Sequence, residues 1–385
     1  TASGPFIVGS TTDPSGEPEP WWTNAGSDYD AYVLTSGYST VAYTQDKEFV
    51  YNMTTLKNEP KVDENDDGSK TWTFTINDNL VWSNGDKLTA KDYVFALLFW
   101  TSPAMTELEV TDNTFSTAYQ LKGWEDYSTG KAKEFSGVKL LSDTEFSVTV
   151  DASELPYYFE MTLVNFSPSY MKGWVPEDVT IDSGDNGAYF SDNFTSEHIA
   201  ETVEAFRWNP TVFSGPYVIK NFDKGNLQYT LEKNDKFAGD HTGQTAQIET
   251  IILRKVEQET MMDELRTGAV NMLSEVADGD LIIEGLDMVE SGDFGAVDYP
   301  RNGYGYIHFV ADHGPTQFAE VRQALAYLLD RNEFAKTFTQ GYGSVVHGAY
   351  GLAMKEYQVN KGQLDKLNQY SYSLDEAIKV LEAGG

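Results

Sequence analysis

The sequence predicts an α/β protein built in more than one lobe. Strand-like alternation and helix-like spacing of apolar residues interleave from one end of the chain to the other, which is the pattern of an α/β fold. The chain has 385 residues, more than one hydrophobic core usually organises. Apolar residues make up 40% and aromatic residues 14%, so there is ample material to bury. Much of the aromatic content is Tyr (23) and Phe (21); Tyr buries its ring while its hydroxyl still seeks a partner, which suits grooves as well as cores.

The elements follow in order. Phe6, Ile7 and Val8 read as a short strand running into a Gly-, Pro- and acid-rich loop that carries Glu17, Glu19, Trp21 and Trp22. From Lys70, alternation sends Trp72, Phe74 and Ile76 to one face and Thr71, Thr73 and Thr75 to the other, a half-buried strand. Asn84-Gly85 marks a tight turn. Thr89 and Asp92 form a capping signal for a helix carrying Val94, Leu97 and Leu98, stopped near Pro103. Val138 to Val150 reads as a hairpin turning at Ser142-Asp143, and Gly215 to Leu231 as another turning at Asp223-Lys224-Gly225. Between them, Asp182 to Asn193 is rich in Gly, Asp, Ser and Asn and reads as an exposed loop.

A strand is expected at Ile248 to Val256, then a helix with Met261, Met262 and Leu265 that ends at Gly268. Tyr304 to Val310 alternates like a strand. Phe318, Val321, Leu325 and Leu328 recur at helical spacing. Ser373 and Glu376 make a capping box for a last helix with a stripe of Leu374, Ala377, Ile378 and Leu381 and a stop at Gly384. That stripe needs a partner and no later sequence supplies one, so exposed apolar surface is expected around Leu325, Leu328, Ile378 and Leu381.

Composition excludes several functions. The formal charge is -33, from 27 Lys plus Arg against 60 Asp plus Glu, a surface that repels nucleic-acid backbones and anionic lipid. The first arginine is Arg207, so the preceding half has no guanidinium fork for an anionic ligand. There is no cysteine, hence no disulfide and no thiolate chemistry. No apolar run reaches the roughly 18 to 20 residues that span a bilayer, and the opening at Thr1 has no signal-peptide pattern, so any targeting segment is expected to have been removed from this sequence or left out of it.

Candidate chemistry is thin. Asp63-x-Asn65-x-Asp67-Gly68 matches the first half of a calcium loop, yet Phe74 stands where a bidentate Glu is required, and an acidic hairpin turn accounts for the run. Ser128-x-x-Lys131 and Ser191-Asp192-Asn193 match two of three elements of penicillin-recognising serine enzymes; the Lys-Thr-Gly element is missing, and Ser136-x-x-Lys139 shows how readily the first arises by chance. His198, His241, His308, His313 and His347 are scattered, with no zinc spacing. No dinucleotide or phosphate-loop glycine pattern occurs. Neither a cofactor nor a metal is expected, and nothing here requires an enzyme.

Stretches from Asp67 (DGSKTWTFTINDNLVWSNGDKLTAKDYVFAL), Ser214 (SGPYVIKNFDKGNLQYTLEKNDKFAG), Thr267 (TGAVNM), Phe318 (FAEVRQALAYLLDRNEFAKTFTQGYGSVVHG) and Tyr372 (YSLDEAIKVLEAGG) together resemble the bacterial extracellular solute-binding proteins of family 5, the peptide, dipeptide and nickel class. Asn84 replaces the family's usual Asp before Gly85, Asn234 to Ala238 departs from its Asn-Pro-x-Tyr-Trp pattern, and Phe309-Val310 replaces an aromatic-Asn pair.

The resemblance implies a periplasmic-binding-protein-like fold of class II, with two lobes joined by crossing strands. It places the main α/β part of the first lobe at 1–45 and 185–303, an inserted smaller subdomain at 46–184, and an incomplete second lobe at 304–385, with the family's chain continuing further. It implies the extracytoplasmic substrate-binding component of an ABC importer, lipid-anchored or periplasmic, that captures oligopeptides or dipeptides and meets a membrane permease. Ligand-facing groups are then expected in the loop holding Glu17, Trp21 and Trp22, at Tyr217, and at Tyr304 and Tyr306. An extended peptide wants backbone partners, aromatic walls and an acid for its amine. An oligosaccharide binder on the same fold is the alternative, and a serine acyl-transfer enzyme a more distant one.

The interrupted calcium pattern carries a test. Thermal melts of the protein in chelator and in excess calcium should coincide, because Phe74 cannot supply the missing ligand; a rise of several degrees with calcium would show a structural ion.

Overall fold

The computed structural model describes residues 4–19, 22–46, 48–108, 118–299 and 303–385, and divides into two compact units, 1–274 and 275–385. In the first unit the chain runs β1 (Phe6–Ser10), α1 (Gly26–Thr35), β2 (Val41–Tyr43), β3 (Phe49–Tyr51), β4 (Lys61–Glu64), β5 (Lys70–Thr75), α2 (Ala90–Phe99), α3 (Pro103–Glu107), α4 (Trp124–Ser128), β6 (Val138–Leu140), β7 (Glu145–Val150), α5 (Met171–Trp174), β8 (Ile181–Gly184), β9 (Gly187–Phe190), α6 (Ser196–Trp208), β10 (Tyr217–Asp223), β11 (Gln228–Lys233), β12 (Thr250–Lys255), α7 (Met261–Thr267) and β13 (Met272–Leu273).

A mixed five-stranded sheet, ordered β10-β11-β12-β1-β13, forms the base of this unit. Phe6 to Ser10 pair in parallel with Ile251 to Lys255, while β10, β11 and β12 run antiparallel. Ala31 of α1 packs on this sheet with Tyr217, Tyr229, Leu231, Ile251 and Leu253. The second sheet is antiparallel, ordered β4-β5-β7-β6. The alternation read from Lys70 holds: Trp72, Phe74 and Ile76 are buried, and so are Phe146, Val148 and Val150 opposite them. Phe74 stacks on Phe146 at 5.2 Å and Tyr93 of α2 stacks on the same ring at 5.1 Å. Such offset aromatic contacts add to the area they bury.

The turn signals hold as well. Residues 65–69 close the β4–β5 hairpin, with Asn65 N–H donating to Ser69 O and Lys122 reaching Asp67 at 2.5 Å. Gly85 takes φ +94 in its turn, and Thr89 N–H donates to Asp92 Oδ2 at 2.8 Å to cap α2.

Two expectations are corrected. Asp182 to Asn193 is not an exposed loop: it holds the β8–β9 hairpin, with Ala188 and Phe190 buried. Phe135 N–H donates to Ala188 O, and a side chain at Gly187 would strike the Phe135 carbonyl, so a polar-looking segment is pinned by backbone pairing. Tyr304 to Val310 alternates like a strand but forms no ladder among the described residues. Alternation makes a strand only where a neighbouring backbone supplies partners.

The second unit contains α8 (Gly279–Glu290), α9 (Ala319–Leu328), α10 (Arg331–Phe338), α11 (Lys355–Leu364) and α12 (Leu374–Gly384). Asp278 caps α8 and Ser373 caps α12. Helices α9 and α12 pack through the small residues Ala324 and Ala377, both buried. Leu325, Leu328, Ile378 and Leu381 are 41 to 45% exposed, as expected of them.

Burial pushes Asp92 from the usual carboxylate range up to about 6, which gives the fold a pH signature. A carboxyl whose folded pKa lies above its unfolded one holds more protons when folded, so its contribution declines as pH rises from about 4 through about 6. Asp92→Asn, measured beside the natural protein by urea unfolding across that window, should gain on wild type by roughly 1 to 3 kcal/mol from the acid end to neutrality. A difference that does not move with pH would refute the burial effect.

Candidate functional site

The loop joining β1 to α1 is shaped by one carboxylate. Asp28, fully buried in the first turn of α1, accepts hydrogen bonds from Ser15 N–H at 3.0 Å, Ser15 Oγ at 2.8 Å, Thr23 Oγ1 at 2.7 Å and the Tyr229 hydroxyl of β11 at 2.6 Å. A negative group here also complements the partial positive charge of the helix start. Burial, and then the Asp28 carboxylate, push the Tyr229 phenol far above its usual range, so it stays a donor. Gly16, at φ +90, lies against the Phe222 ring, where a Cβ would come within 2.6 Å, so the close approach demands glycine. Ser27 N–H donates to Thr12 Oγ1 at 3.0 Å, and Lys255 reaches Asp13 at 2.6 Å.

At the other end of α1, the Ser214-Gly215-Pro216 turn is fitted to the helix terminus. Gly215 N–H donates to Thr35 O at 2.8 Å, and Gly37 N–H donates to Ser214 Oγ at 3.0 Å. A Cβ on Gly215 would come within 2.4 Å of the Thr35 carbonyl carbon.

Between these two ends lies a cavity of about 400 Å³ within the first unit. Pro18 and Glu19 enter from the loop, Tyr29 and Tyr32 from α1, Trp100 from the end of α2, and Phe166 to Tyr170 from the segment before α5. Trp174, Phe206 and Phe213 complete an aromatic wall. Trp100 Nε1–H is already spent on Ser169 Oγ at 3.1 Å, and the Tyr170 hydroxyl donates to Asp86 at 2.6 Å. Burial pushes the Glu19 carboxyl up to about 7. Burial and then the Glu19 charge push the Tyr32 phenol well above its usual range.

The residues expected at a site fall in different settings. Glu17 is buried and ion-paired with the guanidinium of Arg207 from α6, so its charge is already neutralised. Arg207 lies 4.7 Å over the Trp22 ring, and Trp22 packs edge-on against Trp100 at 5.4 Å. Glu17 and Trp22 are therefore brought together, with Arg207 as their link. Trp21 lies outside the described residues. Tyr217 is buried in the sheet core, with its hydroxyl donating to Ile248 O at 2.9 Å. Tyr304 and Tyr306 belong to the second unit, where they are exposed and 5.9 Å apart by ring centroid. Sequence reasoning gave no role to Asp28, Glu19 or Arg207. Arg207 had one signal, its position as the first arginine of an acidic chain.

The serine-enzyme pattern has no catalytic geometry. Lys131 pairs with Glu125 at 3.6 Å while the Ser128 hydroxyl donates to Glu125 O, and Ser191 Oγ donates to Asn193 at 2.6 Å. Among the described residues no helix is long and apolar enough to cross a membrane, and no group of three His, Asp or Glu side chains is arranged to hold a metal ion.

The α/β fold matches solved structures of periplasmic-binding-protein-like oligopeptide-binding proteins. The family described as bacterial extracellular solute-binding proteins, family 5 Middle, matches residues 20–385, and the chain belongs to it. It is 27% identical to the oligopeptide-binding protein OppA of Bacillus subtilis over 84% of this chain and 54% of that protein, and 24% identical to the dipeptide-binding protein DppE of the same species over 82% and 51%. The chain thus spans about half the length of the curated relatives it matches. Among solved structures, Haemophilus influenzae OppA in complex with the peptide RPPGFSPFR superposes with a TM-score of 0.66 at 20% identity, covering 99% of this chain and 66% of that one. Both curated relatives are named as binding proteins.

The Asp28 knot predicts a large local cost. Asp28→Ala strands four donors and should lower stability by on the order of 3 kcal/mol, while Asp28→Asn, which keeps one acceptor oxygen, should cost less. Urea unfolding followed by tryptophan emission measures both; values within about 0.5 kcal/mol of wild type would remove Asp28 from this role.

Proposed function

We propose that the chain is the ligand-capturing part of the extracytoplasmic component of an ABC importer, and that it takes oligopeptides or dipeptides and passes them to a membrane permease. The observation that carries this reading is the cavity of the first unit, an aromatic pocket of about 400 Å³ with a carboxylate and several hydroxyls at its edge. Ligand pockets of this size, in which aromatic walls alternate with hydroxyls and a carboxylate, suit side chains presented along an extended backbone. The oligopeptide- and dipeptide-binding names of the relatives support the same choice. Peptide capture between two lobes, and a home at the cell surface as a lipoprotein or in the periplasm, go with that reading. Tyr304 and Tyr306, exposed in the second unit, are free to offer rings to a ligand.

Tryptophan fluorescence tests it, since Trp100 and Trp174 line the cavity. Titrating the full-length protein with a mixed short-peptide library should shift the emission with a dissociation constant in the micromolar range or tighter, roughly 8 kcal/mol of binding free energy. A response to oligosaccharides and none to peptides would overturn the proposal in favour of a sugar binder.

A further inference from the structure

Two acidic residues two positions apart in one loop have opposite fates. The Glu17 charge is matched by Arg207. Glu19, half-buried at the edge of the cavity, has no cation partner among the described residues, and none of the residues lining the cavity is Lys, Arg or His. Its titratable neighbours in the lining are phenols, Tyr29 and Tyr32 from α1 and Tyr170 from the segment before α5. Arg207, which follows the cavity-lining Phe206 in α6, is held by Glu17 and stacked on Trp22 and Trp208.

We propose that the cavity is a subsite for an alkylammonium group of the captured peptide, with Glu19 as its counter-charge and the surrounding rings as its walls. This rests on the peptide reading above. Ring faces attract cations through their quadrupole, most strongly where water is excluded. The lining offers the faces or edges of Tyr32, Trp100, Trp174 and Phe206 around a volume that holds a lysine side chain. A formal charge of -33 on the whole chain draws cationic ligands and disfavours anionic ones. Burial at the cavity edge raises the Glu19 carboxyl to about 7. An entering ammonium favours the ionised form, so binding at neutral pH releases a proton from Glu19.

The shared chemistry, an alkylammonium, has two sources in a peptide, the lysine side chain and the N-terminal amine, and the test separates them. Calorimetry would use the full-length protein with acetyl-Ala-Ala-Lys-Ala-Ala, acetyl-Ala-Ala-Gln-Ala-Ala and unacetylated Ala-Ala-Gln-Ala-Ala. Tighter binding of the first than the second, by about tenfold near pH 8, assigns the lysine side chain; the same advantage in the third assigns the amine. Either advantage should shrink to about twofold or less in Glu19→Gln, and in wild type should fade as pH drops to about 5.5, where Glu19 is protonated.

In wild type at neutral pH, the binding enthalpy of the preferred peptide should differ between phosphate and Tris buffers, the mark of proton release. This measurement decides the matter if Glu19→Gln fails to give a wild-type-like thermal melt. Equal affinities for all three peptides, a preference that survives Glu19→Gln in a folded variant, or an enthalpy independent of buffer would overturn the ammonium subsite and leave peptide binding standing. Failure of all three to bind wild type, together with silence from the peptide library, would overturn the peptide reading and this inference with it.

Discussion

Asp28 ties a loop, a helix and a strand to a single buried charge. Its oxygens take donors from Ser15, Thr23 and Tyr229, and a carboxylate removed from water is tolerable only when its lone pairs are satisfied in this way. The consequence is positional. With Ser15 and Thr23 both held at α1, Glu17 and Glu19 are delivered to different places. One meets Arg207, and the other faces the cavity. An aromatic cavity is chemically generic; a loop held in this manner makes its polar edge specific.

The surrounding core gives this arrangement a stiff support. The antiparallel sheet buries Trp72, Phe74, Phe146 and Val148 against α2, and the rings of Tyr93, Phe146 and Phe74 stack in sequence. Trp100 and Trp174 lie 5.1 Å apart and face both the core and the cavity. The same aromatic cluster therefore stabilises the unit and forms the wall. Substitutions there alter the core and the cavity wall together, whereas Glu19 touches the cavity only from its edge.

The -33 charge is compatible with such a core because charged groups of opposite sign are used sparingly and locally. Lys122 meets Asp67, Lys172 meets Asp86, and Arg254 meets Glu264. Most of these pairs are exposed and add little to stability. The first two sit at the turns of residues 65–69 and 82–86, and the third joins β12 to α7. Glu17 with Arg207 differs, since both partners are largely buried and the guanidinium also stacks on Trp22. Breaking that pair would leave a buried charge unmatched.

The strands at Lys70 to Thr75 and at Glu145 to Val150 and the capped helix from Ala90 were legible in the sequence because their causes are local. Alternation, capping and positive-φ glycine act within a few residues. The same locality explains the failures. Asp182 to Asn193 looked like a loop because its hairpin depends on the Phe135 backbone, some 50 residues away, as the Phe135–Ala188 pairing shows. Tyr304 to Val310 looked like a strand because alternation is visible in a sequence and a missing ladder is not. Family membership was also legible, since motif order survives where individual residues drift. The neutralised carboxylate of Glu17 and the cavity-facing one of Glu19 were not. Glu17 and Arg207 are separated by 190 positions, and Asp28 and Tyr229 by 201. Electrostatic pairing acts through space at a few ångströms, so only the tertiary fold could decide which of two similar acids in one loop is spent and which faces the cavity.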